Sequence, residues 1–136
     1  MSGQEKYKGV AFLTKSSDPK DGLAKVTLKV ENATADPSWP LSVDTEVMVP
    51  PGTSVYNMLL QAFHNGAIKF QAGWYGNYWS HFIESINGLK EESTMAYHSV
   101  WSFEDGKGNA FDRGVDLISV YDGDTIVFRY FKYRHA

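Results

Sequence analysis

The stretch Thr53-Ser54-Val55-Tyr56-Asn57-Met58-Leu59-Leu60-Gln61-Ala62-Phe63-His64-Asn65-Gly66 decides the fold class, because here the hydrophobic period changes. Val55, Met58, Leu59, Ala62 and Phe63 recur at i, i+3, i+4, i+7 and i+8, the stripe of an amphipathic helix. A hydroxyl at Thr53 or Ser54 suits the N-cap, where it accepts amide protons of the first turn. Gly66 suits the position just past the helix, where the backbone often turns left-handed. The spacing predicts a helix over 53–65, the only long one, with Val55, Leu59, Ala62 and Phe63 packed on a sheet.

Upstream the period is two. Val26, Leu28 and Val30 alternate with Lys25, Thr27 and Lys29, and Val43, Thr45, Val47 and Val49 alternate with Asp44, Glu46 and Met48. Tyr7–Thr14 reads as a further short strand, and Asp36–Pro40 as a loop, since its two prolines exclude a ladder. Downstream, strand patterns cover Tyr78 to Ile86, Tyr97 to Phe103 and Ile126 to Tyr133. Turns fall at Asn87-Gly88, Glu104–Asn109 and Asp122-Gly123-Asp124, the last read as a hairpin turn. Strands, one helix, then strands make the class α+β, a small mixed sheet with one packed helix.

The 136 residues fit a single domain, 1–136, large enough for a core. Hydrophobic residues at 43% and charged residues at 21% are globular proportions. A net charge of −3 supplies no basic field for nucleic acid or an anionic membrane, so neither is expected as a partner. The absence of cysteine excludes disulfides, thiolate metal sites and cysteine nucleophiles. The start Met1–Lys6 has no apolar signal core, and no run is long enough for a membrane helix.

Aromatic residues are 15% of the chain, and Trp74, Tyr75, Tyr78, Trp79 and Phe82 crowd into one segment with Gly73 and Gly76. Such side chains build bulky β cores or stack on flat ligands. Trp74, Tyr75, Tyr78, Trp79 and Trp101 are the candidate ligand-binding residues, with the two glycines letting the backbone approach a ligand. No catalytic residue is assigned. His64, His81, His98 and His135 lack metal spacing, although two could meet if strands 78–86 and 97–103 pair. No Gly-x-Ser-x-Gly elbow occurs, Gly106-Lys107-Gly108 is too short for a phosphate loop, and Asp105, Asn109 and Asp112 do not match an EF-hand. Neither a catalytic metal nor a required cofactor is expected.

Several segments in order carry a resemblance: Pro50–Leu59, Ile83-Glu84-Ser85-Ile86-Asn87-Gly88-Leu89, Trp101-Ser102-Phe103, Gly114-Val115, and Tyr121 through Tyr130. Together they resemble the C-terminal β domain of the transcobalamin and intrinsic factor family, and equally a related stand-alone domain of bacterial surface proteins and invertebrates. The match covers about residues 43–131, leaving 1–42 as extra N-terminal strands. The resemblance implies a β-grasp-like fold, secretion, and non-enzymatic binding of cobalamin or another corrinoid. In that family a helical domain and the β domain close on the ligand from two sides, and the helical domain is absent here. Corrinoid binding by this chain therefore implies weak binding, a partner, or walls built by residues 1–42. The competing reading is a protein- or glycan-interaction module that uses an aromatic patch or a sheet edge.

Overall fold

A computed structural model describes residues 22–34 and 42–134. The expectations for Tyr7–Thr14, Asp36–Pro40 and His135 lie outside these residues. Nine strands and one helix follow in order: β1 (Ala24–Asn32), β2 (Val43–Val49), β3 (Thr53–Ser54), α1 (Val55–His64), β4 (Phe70–Tyr75), β5 (Ser80–Ile86), β6 (Leu89–Lys90), β7 (Tyr97–Asp105), β8 (Ser119–Val120) and β9 (Thr125–Arg134). A single 3-10 turn, Gly76–Tyr78, separates β4 from β5. The class is α+β.

The main sheet runs β2-β1-β9-β7 and is mixed. β1 pairs antiparallel with β2 and parallel with β9, and β9 pairs antiparallel with β7. β1, which precedes the stretch matched in sequence, therefore sits at the centre of the sheet. Its Val26, Leu28 and Val30 are fully buried, as the alternation requires. The turn Asp122–Asp124 is not a hairpin turn, because β8 pairs with β3 and β9 with β1 and β7. It locks onto β1 instead: Lys25 donates its amide to Asp122 Oδ1 at 2.8 Å, and Thr27 donates to the Asp124 carbonyl at 2.8 Å.

Helix α1 is capped at both ends. The Ser54 hydroxyl accepts from the Asn57 amide at 3.0 Å. At the other end Gly66 has φ +80°, its amide donates to Phe63 and the Ala67 amide donates to Ala62, both at 2.9 Å, which is a Schellman motif. Thr53 and Ser54 pair with β8, so the helix begins two residues later than the pattern suggested. Val55, Met58, Leu59 and Ala62 are buried. Phe63 is a correction: it is 47% exposed and lies beside His64, because the stripe at the last turn has run past the sheet. Among the described residues no helix is long and apolar enough to cross a membrane.

A second sheet, β4-β5-β6, carries the aromatic segment. The register steps from Gln71↔Ser85 to Ala72↔Ile83, so Glu84 is the extra residue of a β-bulge. Asn87 and Gly88, with φ of 51° and 87°, form the two-residue turn into β6. Tyr130 ties this sheet to the main one. Its buried hydroxyl donates to the Lys90 carbonyl at 2.6 Å and lies 2.7 Å from the Ser99 hydroxyl.

Candidate functional site

The aromatic segment is the tip of the β4–β5 hairpin. Cross-strand partners share a face, so Trp74 and His81 stand on one side, and Tyr75, Ser80, Gly73 and Phe82 on the other. On the first side the His81 ring stacks flat on Tyr56, centroids 3.9 Å apart, with Trp74 edge-on to it at 5.1 Å. On the second, Phe82 meets Tyr75 and Tyr78 edge-on at 5.1 and 5.3 Å.

The hairpin borders a cleft of about 630 Å³. Tyr75, Tyr78, His81, Phe82 and Ile83 come from the hairpin. Trp101, Ser102 and Phe103 come from β7, and Phe128 from β9. Phe111 to Val115 close one end, and Glu91 enters from beyond β6. Of the five residues the sequence singled out, the structure brings Tyr75, Tyr78 and Trp101 together here. Trp101 is only 9% exposed and belongs to the core, its indole N–H donating to the Leu89 carbonyl at 2.8 Å. Trp74 and Trp79 are exposed and do not line the cleft. Sequence reasoning missed Phe103, Phe111, Glu91, Asp112 and Arg113, because no local pattern announces residues that converge from three separate segments.

Trp79 is 73% exposed and adopts φ 54°, ψ 35°, the left-handed region that a bulky side chain disfavours. Replacing Trp79 with glycine is therefore expected to raise stability by about 0.5–1 kcal/mol, the relieved strain being partly offset by glycine's freedom in the unfolded chain. A lower urea midpoint for the variant would show that the indole holds the tip in place. Gly73 has a packing part of its own. A Cβ on Gly73 would sit 2.7 Å from Glu84 Oε2 and 3.3 Å from the Tyr75 ring, so its bareness seats those side chains.

Asp116 pins the start of β5. Its Oδ2 accepts from the His81 amide at 2.6 Å and from the Ser80 hydroxyl at 3.1 Å, and lies 2.8 Å from His81 Nδ1. Ser80 is fully buried and its hydroxyl donates to the carboxylate rather than to the imidazole, so the trio lacks the serine–base contact that activates a nucleophile. A Cβ on Gly114 would collide with Ser80, which shows how closely the end wall of the cleft is packed on the hairpin.

Several polar groups away from the cleft serve local structure. β5 and β7 do not pair, which keeps His81 and His98 on separate ladders; His98 lies across from Tyr133. Arg129 bonds Glu104 at 2.8 Å and Glu31 at 3.2 Å, so its guanidinium is knit into the sheet. Burial pushes the Asp105 carboxyl up, but hydrogen bonds from Asn109 and the Lys107 amide outweigh it and hold the group below its usual value. That carboxylate caps its own turn. Among the described residues no cluster of three or more His, Asp or Glu is placed to hold a metal ion.

No family model matches the chain, and no curated protein matches it. Solved structures do. The fold is that of a part of haptocorrin. The crystal structure of haptocorrin in complex with Cbi, a corrinoid, superposes with a TM-score of 0.65 at 19% identity over 86% of this chain. The resemblance to the transcobalamin family read from the sequence thus holds in three dimensions. The chain spans only 27% of the haptocorrin chain. A protein from Ruminococcus gnavus described as a candidate metal-binding protein matches with a TM-score of 0.53 at 14% identity, over 81% of this chain and 98% of that one.

Proposed function

We propose that this chain is a non-enzymatic binding domain of the cobalamin-carrier β-domain type, built on a β-grasp-like core. Its site is the aromatic cleft, and its ligand is a corrinoid or another flat, largely apolar molecule. The order β2-β1-β9-β7, with β1 and β9 parallel at the centre, supports the β-grasp reading. The observation that carries the function is the cleft itself: Tyr75, Tyr78, Phe82, Trp101, Phe103 and Phe111 converge on one concavity of small-molecule size, with Glu91, Ser102, Asp112 and Arg113 as polar groups on its wall. Aromatic faces fixed on strands suit stacking against a conjugated ring. Secretion and a corrinoid as the bound ligand are part of the same proposal, supported by the likeness to haptocorrin.

The test is titration with cobinamide, followed by ligand absorbance and tryptophan quenching. Saturable binding is expected, and Tyr78→Ala, at a position 61% exposed, is expected to weaken it about three- to tenfold with the melting temperature unchanged. Absence of binding, or an affinity that Tyr78→Ala leaves unaltered, overturns the reading. A protein- or glycan-interaction module is the second reading, favoured by the exposure of Trp74 and Trp79 at the hairpin tip. Under it, Trp79→Ala rather than Tyr78→Ala removes partner binding.

A further inference from the structure

The charged and titratable residues lining the cleft are Glu91, Asp112, Arg113 and His81, together with Ser102. Asp112 Oδ1 lies 3.8 Å from Arg113 Nε and Asp116 Oδ2 lies 2.8 Å from His81 Nδ1, so Arg113 and His81 each have an acidic partner and Glu91 adds a further carboxylate. Glu91 is held in place from behind: its Oε2 accepts from the Trp101 amide at 3.0 Å, which sets the carboxylate beside the buried indole. A carboxylate has about four acceptor sites, and this bond uses one of them. Burial pushes the Glu91 carboxyl above its usual value, the Trp101 amide draws it back, the neighbouring Glu84 adds to the upward push, and His98 opposes it. A further anion brought beside Glu91 would meet a like charge that the Trp101 amide holds in position.

We propose that Glu91 is the specificity-determining residue of the cleft: it accepts a hydrogen bond from a neutral donor on the ligand, a primary carboxamide, and excludes the corresponding carboxylate. The assignment rests on the cleft being the binding site. A carboxamide fits the groups present, since its N–H donates to Glu91 while its oxygen accepts from the Ser102 hydroxyl. A cationic group would gain from Glu91 but would share the cleft with Arg113. Neutral donors therefore match both charges.

The experiment compares two corrinoids on the whole protein at neutral pH. Cobinamide carries primary carboxamides around its ring, and cobyrinic acid carries carboxylic acids at those places. Equilibrium dialysis is run with the natural chain and with Glu91→Gln, which keeps an acceptor for the Trp101 amide. The natural chain is expected to bind cobinamide about tenfold or more tightly than the acid. Glu91→Gln is expected to narrow that ratio at an unchanged melting temperature, chiefly by improving the acid. Equal affinities in the natural chain, or a ratio that Glu91→Gln leaves in place, overturn the role of Glu91 and leave the cleft as a corrinoid site. Binding of neither compound overturns the reading of the cleft and the role of Glu91 with it.

Discussion

Truncating Trp101 to alanine is expected to destabilise the protein by about 3–5 kcal/mol, the range for removing a buried aromatic side chain. Trp101 is 9% exposed, its ring packs 5.1 Å from that of fully buried Tyr130, and its indole N–H reaches the Leu89 carbonyl at 2.8 Å. Alanine would leave a cavity at the junction of the two sheets and remove the hydrogen bond to the Leu89 carbonyl. The cavity would open onto the cleft, which Trp101 also lines, so under the proposed function the surviving folded fraction is also expected to bind cobinamide more weakly. Urea unfolding measures the first effect and titration of the folded fraction the second. A loss below about 1 kcal/mol, typical of a surface change, would show that the residue is not core. Trp101 thus differs from Trp79, where the same chemistry stands in solvent and its removal leaves no cavity.

That contrast marks how far the sequence could be read. Trp74, Tyr75, Tyr78, Trp79 and Trp101 look alike as letters, and alternation assigns them to faces only while a strand stays regular. The 3-10 turn at Gly76–Tyr78 and the left-handed Trp79 interrupt the alternation, and the bulge at Glu84 interrupts it again. Tyr75 and Tyr78 consequently face the cleft while Trp74 turns to His81 and the helix side. Strands β1, β2 and β7 were legible because each keeps a period of two, β9 because Ile126 to Tyr133 is a run rich in β-branched and aromatic residues after a turn, and α1 because its stripe and both caps agree. The pairing of β1 with β9 was not legible, because parallel pairing between distant segments leaves no local signal. For the same reason the cleft's far wall, Phe111 to Val115, was invisible: its place is fixed by the Asp116 clamp on His81 and Ser80, a contact spanning 35 residues.

Replacing Leu59 with alanine is expected to cost about 2–5 kcal/mol, the range for a large aliphatic side chain with no exposed surface. Leu59 is 0% exposed and lies in the middle of α1. A helix of 10 residues is marginal by itself, so its stability comes from docking its apolar face, and Leu59 sits at the centre of that face. The consequence reaches the cleft. The first turn of α1 is bonded to the segment that forms the cleft's end wall: the Val55 amide donates to the Ile118 carbonyl at 2.9 Å and the Tyr56 amide to the Val115 carbonyl at 3.0 Å. Tyr56 in turn carries the stacked His81 ring. A helix loosened by Leu59→Ala should therefore release both contacts, and amide hydrogen exchange at Val55 and Tyr56 should accelerate in parallel with the fall in the urea midpoint. A destabilisation under about half a kcal/mol would mean that α1 is not docked through Leu59. Protection of the Val55 and Tyr56 amides that survives a full-sized loss would separate the end wall from the helix and leave Asp116 alone to hold it.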